Sequence, residues 1–448
     1  MSDTVFALAT APGRAAVAIL RLSGPATGHV LAALAGSPPP PPRRAVLRQL
    51  TWRGELIDRA LVLWFPGPGS YTGEDAAELH LHGGAAVVAA ATEALLALGL
   101  KPAEPGEFTR RAFQNGKLDL TQAEAVADLV DAETAAQRKQ ALDQLDGALA
   151  RRYDAWRAGL LDALALVEAE IDFPDEGLPG ELAGRARPTI ERLVAEIDAA
   201  LSEGGRGERV REGWRVAVVG APNAGKSSLF NALVGRDAAI VTPIAGTTRD
   251  VIEAPLTLAG YRVLLADTAG VRESGDVVEA EGVRRARAWA DHAALRLWVV
   301  DASAGDDGWR DAADLLRAGD LCLLNKVDLP TGPAAAAAER LAQERGVEIL
   351  RLSATSEQDA TVLQDVLKTR VVAALSGAEF PAVTRARHRA RLSESRAHLV
   401  RACSALAVAA ELAGEDLRLA ARALAQVSGR IDPEDVLDVV FASFCIGK

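Results

Sequence analysis

The chain has 448 residues, 49% hydrophobic and 25% charged, a globular balance that excludes a disordered or fibrous protein and supports several cores, about three domains by length. A formal net charge of −11 gives no support to a sequence-independent grip on nucleic acid. No uncharged apolar run is long enough to span a bilayer, and Cys322, Cys403 and Cys445 lie far apart with no C-x-x-C pair, which argues against a disulfide framework or a zinc site.

In chain order, the N-terminus "MSDTVFALATAPGR" has an acid and no base before its apolar stretch, unlike a secretory signal, so a cytoplasmic, membrane-free protein is expected. Residues 1–118 read as mixed α/β. "AAVAILRLSG" and "ELIDRALVLWFPG" predict strands, "AAELHLHGG" alternates with period two, and a helix is expected from about Ala85 to Leu98. The proline run Pro38–Pro42 predicts an exposed loop. From Leu120 apolar residues fall at helical spacing for many turns. A second long helix is expected to end near Ile171, ahead of "DFPDEG", and a third to cover about 187–202. "GGRGERVREG" (204–213) reads as a Gly/Arg-rich linker.

Strands and helices then alternate through "WRVAVVG", "YRVLLAD", "LRLWVVD", "DLCLLNK" and "VEILRLSA", the pattern of a parallel sheet with crossover helices. From about Pro381 the chain reads as helical again. The fold class expected is therefore multidomain, α/β plus all-α. Its parts are an N-terminal α/β domain (1–118), a helical domain in two parts (119–212 and 377–448), and an α/β unit inserted between them (213–376). The basic runs "PPRRAVLR" (41–48) and "RARHRAR" (385–391) are read as solvated charges at loop and helix ends.

"GAPNAGKS", Gly220 to Ser227, follows an apolar strand and opens a helix. In a G-x-x-x-x-G-K-S loop the backbone N–H groups, here of Asn223, Ala224, Gly225 and Ser228 among others, cradle phosphate oxygens. Lys226 reaches the β/γ-phosphates and the Ser227 hydroxyl ligates Mg²⁺. "AGTTRD" (245–250) lies where a switch segment belongs, with Thr248 as a second Mg²⁺ ligand. Asp267, Thr268, Ala269 and Gly270 form a D-x-x-G step after a strand. "NKVD" supplies Asn325, Lys326 and Asp328; a carboxylate at Asp328 accepts both N1–H and the 2-amino group of guanine and so selects GTP over ATP. Ser353 and Ala354 of "SAT" are expected to brace the base through backbone N–H groups. Five motifs in order, each at a strand end, point to a Ras-like P-loop GTPase domain rather than an ATPase motor.

The combination of "GAPNAGKSS", "GTTRD", "DTAG", an inserted GTPase unit and the C-terminal "FCIGK" resembles the bacterial tRNA modification GTPase family MnmE, also called TrmE. "FPGPGSYTGEDAAELHLHGG" (65–84), "PGEFTRRAFQNGKLDLTQAEA" (105–125) and "DFPDE" (172–176) extend the resemblance over essentially the whole chain. The resemblance implies a homodimer held by a folate-binding N-terminal domain. It implies a flavin-dependent partner, MnmG, forming a heterotetramer, and tRNA as substrate, with an aminomethyl-type group installed on C5 of the wobble uridine. The carbon would come from a reduced folate, 5-formyl- or methylene-tetrahydrofolate. Carried over by motif, the folate site would use Arg21, Glu78, Lys117 and the terminal Lys448. A carboxylate suits the donor edge of a pterin, and the three cations suit an anionic tail. The alternative of a regulatory GTPase that modifies nothing leaves the N-terminal module and the "CIGK" tail without a use. His80 and His82 share a strand face but lack a third ligand nearby in sequence, so they read as ordinary strand histidines.

One position raises a question. After D-x-x-G, where familiar small GTPases carry a water-orienting glutamine, this chain has Val271. Arg249 or Arg272 as an arginine finger, a partner protein, or a cation with a carboxylate are the three solutions. Asn223 in the phosphate loop can ligate a monovalent ion, with carbonyls of Thr242, Ile244 and Thr247 completing its shell. The resemblance points the same way, to K⁺ and to pairing of GTPase domains. By family spacing it assigns the water to Glu279, with Glu273 and Glu281 as nearby alternatives.

Overall fold

In the computed structural model of the chain, the described residues are 3–172, 182–203, 205–237, 252–267, 277–305, 309–377, 380–431, 437, 440–441 and 444–447. Packing divides the chain into two units: residues 1–131, 141–198 and 387–448, and residues 132–140 and 199–386. In chain order the second unit is thus bracketed by parts of the first.

Period-two alternation builds the sheet of the first unit. In "AAELHLH", Leu79 and Leu81 point into the core while Glu78 and His80 line the other face. The strands are β1 (Val5–Leu8), β2 (Val17–Ser23), β3 (Val46–Trp52), β4 (Glu55–Phe65), β5 (Ala76–His82) and the two-residue β6 (Lys101–Pro102), in the order β3-β4-β5-β2-β1-β6. All neighbours are antiparallel except β1 and β6. Helices α1 (Thr27–Ala35) and α2 (Ala85–Ala97) supply Val30, Leu31, Leu34, Ala91, Ala94 and Leu95 to the core. The run "PPRRAVLR" is not only loop: Val46–Arg48 begin β3. Helix α3 (Glu107–Gln114) follows the sheet.

The helical stretch after Leu120 is broken into α4 (Leu120–Val130), α5 (Ala135–Leu145) and α6 (Ala148–Asp172), followed by α7 (Leu182–Ser202). Asp119 starts α4 with a capping box: its carboxylate accepts from Gln122 N at 2.9 Å, and the Gln122 side chain accepts from Asp119 N. Residues 206–212, read as linker, form the short helix α8 (Arg206–Glu212). Near the C-terminus, α13 (Ala386–Ala405) precedes α14 (Ala410–Val427), which lies along α6 with Gly414 against Val167 and Ile171.

The sheet of the second unit contains β7 (Trp214–Val219), β8 (Ile252–Leu258), β9 (Tyr261–Asp267), β10 (Leu295–Asp301), β11 (Leu321–Asn325) and β12 (Glu348–Arg351). Their order is β12-β11-β10-β7-β9-β8, parallel except for β8. Both faces are covered, which is why its strands read as continuous apolar runs. Val216, Leu297 and Leu323 pack on one side, Ala217, Trp298 and Cys322 on the other. The helices are α9 (Lys226–Asp237), α10 (Val277–His292), α11 (Pro333–Glu344) and α12 (Glu357–Leu375). From β7 the chain runs first to one neighbour, β9, and later to the other, β10. The carboxyl end of β7 is therefore the switch point where such sheets bind ligands. The unit reaches beyond the expected 213–376 because flanking residues bond into it. Ala136 N donates to Gly260 O, Gln137 Nε2 to Arg211 O, and Arg211 Nε to Thr384 O.

Candidate active sites

The phosphate loop leaves the end of β7 and enters α9 at Lys226, so the positive end of the helix dipole faces whatever the loop holds. The backbone leaves no room for a side chain at position 225. Gly225 has φ +97°, and a Cβ on it would stand 2.1 Å from Asn325 Nδ2. Asn223 also adopts positive φ, +61°. Lys226 is 5% exposed and its ammonium donates to two loop carbonyls, Gly220 O at 2.8 Å and Ala221 O at 2.6 Å. Burial lowers its pKa more than the nearby Asp267 and Asp311 carboxylates raise it. A buried ammonium over a ring of N–H groups is matched by an anion, and phosphate supplies one. Ser227 Oγ donates to Asp267 Oδ2 at 2.8 Å, bringing two hard oxygen ligands together at the mouth of the loop. That pair fits Mg²⁺, which takes one or two protein oxygens and completes its shell with phosphate and water.

At the base end, Asp328 is exposed with no partner among the described residues, free to meet a ligand. Its neighbours in the motif do something else. Asn325 is 1% exposed; its amide donates to Ala224 O at 2.8 Å and accepts from Ala354 N at 2.9 Å, tying the phosphate loop to the "SAT" segment. Lys326 donates to Asn223 O at 2.9 Å and to Asp301 Oδ2 at 2.6 Å. Both residues brace the site. The backbone N–H of Ser353 donates to Asp359 Oδ2 at 2.8 Å, so with Ala354 N on Asn325 both expected base donors have protein partners. Asp301 was missed in the sequence reading; its signal is a carboxylate at the end of β10, the strand beside the loop. Burial would raise its pKa, but the bonds from Lys326 and Ser303 outweigh burial and hold the carboxyl below its usual range.

Thr242, Ile244, Thr247, Thr248 and Arg249 lie outside the described residues, as do Thr268, Ala269, Gly270, Val271, Arg272 and Glu273. Glu279 and Glu281 belong to α10, and their side chains are outside the description.

The second site lies on the first unit. Arg21 on β2 and Glu78 on β5 are directly opposed in register. Arg21 donates from Nε (3.2 Å) and Nη2 (2.9 Å) to Glu78 Oε1, and from Nη1 to Gly447 O at 3.3 Å. Its guanidinium lies 5.8 Å from the centroid of buried Phe108. His80, two residues along the same face, bonds Glu78 Oε2 through Nε2 at 3.2 Å. His82 is paired separately with Asp58 at 2.8 Å, so each histidine has a carboxylate partner of its own. The C-terminal tail is part of the site. Ile446 bridges to Pro105, Gly106 N donates to Cys445 O, and Gly447, at φ +97°, packs so closely that a Cβ would meet Leu8 O at 2.5 Å. Lys117 is not with Arg21 and Glu78 in the hydrogen-bond pattern: its ammonium donates to Pro68 O at 3.0 Å. Lys448 lies outside the described residues. Beside the site, buried Arg111 joins Glu74 (2.9 Å) and Glu107 (2.6 Å).

The run "RARHRAR" is not only solvated charge. Arg387 and the fully buried His388 converge on Glu124, also fully buried, at 2.6 and 3.0 Å. The second polar partner, 263 residues away in sequence, leaves no local signal. Among the described residues no cluster of three His, Cys, Asp or Glu is placed to hold a metal, and no helix is long and apolar enough to cross a membrane.

Two family models match the chain: "GTP-binding protein TrmE N-terminus" over residues 4–117 and "MnmE helical domain" over residues 120–445. Among curated relatives, proteins called tRNA modification GTPase MnmE from Phenylobacterium zucineum and Caulobacter vibrioides are each 59% identical, and one from Maricaulis maris is 52% identical. Each alignment covers 100% of both chains. Among solved structures, the G domain of the T. maritima FeoB iron transporter aligns over 35% of this chain and 98% of its own at 23% identity, with a TM-score of 0.26, too low to argue from. With both family models matched and full-length relatives at more than half identity, the chain belongs to the tRNA modification GTPase MnmE (TrmE) family.

Proposed function

We propose that this chain is a GTP hydrolase that acts in tRNA modification, working with the flavin-dependent partner MnmG in a heterotetramer. The product is a carboxymethylaminomethyl-type addition at C5 of the wobble uridine, its carbon drawn from a reduced folate. The observation that carries the GTPase half is the buried Lys226 at the head of α9, held over the phosphate loop and flanked by the Ser227–Asp267 pair. Membership of the family supports the tRNA half.

In this reading Lys226 turns from its two loop carbonyls to the β/γ-phosphates, and Asp328 fixes the guanine by accepting two N–H groups. Ser227, with Thr248, would hold Mg²⁺, which would neutralise phosphate charge. Asn223, with carbonyls of Thr242, Ile244 and Thr247, would hold K⁺, which would supply the positive charge that an arginine finger provides elsewhere. Glu279, at the start of α10, orients the water when two GTPase domains pair; Arg249 and Arg272 are its rivals. Residues 1–118 bind folate and hold the homodimer, 119–212 and 377–448 form the helical domain, and 213–376 form the GTPase domain. The place of action is the cytoplasm.

Steady-state hydrolysis by the purified chain tests this. Turnover is expected with GTP and not ATP, faster in potassium than in sodium, with the potassium advantage lost in Asn223→Ala. Equal turnover of GTP and ATP removes the base assignment, and potassium dependence that survives Asn223→Ala removes the cation site.

A further inference from the structure

The arginines of β3 and its flanks have no acids to pair with. Residues 43–59 carry five arginines, Arg43, Arg44, Arg48, Arg53 and Arg59, against two acids, Glu55 and Asp58. Asp58 is already taken by the backbone N–H and the ring of His82. Among the described residues no carboxylate pairs with any of the five arginines. Elsewhere in the same unit Arg21, Arg111, Arg387, Arg396, Arg418 and Arg430 each meet one.

Sheet order sets these cations along an open edge. Strand β3 is the edge strand and bonds only to β4. Arg43 and Arg44 stand just before it, Arg48 lies within it, and Arg53 sits at the turn into β4, with φ +51° and its guanidinium 5.7 Å from the Trp52 ring centroid. At about 3.3 Å per residue, Arg44 to Arg53 covers roughly 30 Å. Arg43 is anchored by Gly69 O and the Phe65 ring. Arg44 and Arg53 are exposed, and Arg48 is half-buried with its covered Nε unpartnered. Arg59, exposed on β4 opposite Gln49, adds a cation behind the edge.

A site for a small anion gathers its donors around one point. A row about 30 Å long gives such an ion one or two contacts, whereas a polymer with a charge on every unit can use the whole row. The chain as a whole carries a formal charge of −11, so a polyanion needs a local cationic strip to be held. Guanidinium groups also present forked donors that match phosphate oxygens.

We propose that the β3 edge, from Arg43 to Arg53, is a docking surface for the phosphate backbone of tRNA. This rests on the tRNA reading given above. Contacts of this kind fix the position of the RNA and carry no sequence information.

Titration of the full chain with an unmodified tRNA transcript, read by fluorescence anisotropy between about 50 and about 200 mM salt, tests it. Wild type is expected to bind, with affinity falling steeply as salt rises. Joint Arg44→Gln, Arg48→Gln and Arg53→Gln should cost about tenfold or more at low salt. It should also flatten the log–log salt slope by about 2–3, roughly one for each phosphate contact removed. Lysine at the same three positions keeps the point charges and should keep the slope. Arg138, Lys139 and Arg185 are also exposed and without carboxylate partners among the described residues; their joint change to Gln should leave the slope unchanged. An unchanged slope in the first glutamine variant, equal losses in the two glutamine sets, or a lysine variant that loses as much overturns the proposal and leaves the tRNA reading intact. The arginines would then only guard an open sheet edge against pairing. Absence of tRNA binding by folded wild type overturns the tRNA reading and this inference together.

Discussion

The two candidate sites are built from different materials. The phosphate loop is a short continuous stretch of main chain at the end of β7, and the parts that hold it, Asn325 and Lys326, reach it from the end of β11, two strands away in the sheet. The N-terminal site is an assembly of side chains and termini: Arg21 and Glu78 on facing strands, His80 on the same face, and the tail at Gly447, 426 residues from Arg21. A main-chain cradle is sensitive to the smallest added atom. A side-chain assembly is sensitive to the loss of one charge.

The largest expected effect tests the main-chain half. Gly225→Ala places a methyl into Asn325 at a positive φ, and GTP binding should be lost outright with the sheet content of the circular dichroism spectrum preserved. Normal affinity would show that the loop is not held as described.

Next is the buried charge cluster of the side-chain-built unit. Burial raises the Glu124 pKa, but Arg387 and His388 outweigh burial and hold it far below the usual carboxylate range. The folded pKa is depressed, so the stabilisation is complete above the ordinary carboxylate pKa and fades as pH falls towards the folded value. Glu124→Gln should cost about 3–5 kcal/mol at pH 7, and the gap to wild type should narrow as pH drops below about 4. Denaturant unfolding at several pH values checks this; a gap independent of pH would mean that the carboxylate charge is not the source.

Asp328→Asn sets a partial donor against two guanine donors and should cost about 3 kcal/mol in GTP affinity, read by calorimetry. The smallest of these effects is Glu279→Ala, about a hundredfold in turnover with GTP affinity nearly unchanged. Full activity there, with loss in Arg249→Ala or Arg272→Ala, would give the task to an arginine finger.

The same contrast decides what was legible in the sequence. Strand-end motifs drew attention to Lys226, Ser227, Asp267 and Asp328, because each stands in a short local pattern at or just after a strand end. Asp301 escaped, since only pairing of β10 with β7 brings it to the loop. In the N-terminal site nothing local joins Arg21 to Glu78; the resemblance supplied the pair, and sheet register explains it. His80 was read as an ordinary strand residue because its partner is visible only once both side chains are placed. Helix α8 was missed because Gly204, Gly205 and Gly207 mask seven helical residues. Arg387 and His388 were read as solvated charge because their partner Glu124 lies on the other side of the second unit in sequence.

The GTP site and the N-terminal site are expected to serve one product. Nucleoside analysis of tRNA from cells lacking this protein, complemented with wild type, Asp328→Asn or Glu78→Ala, tests it most directly. Wobble uridines without the C5 addition are expected in the deletion, with full restoration by wild type and by neither variant. Unchanged wobble uridines in the deletion, or full restoration by Glu78→Ala, would contradict it.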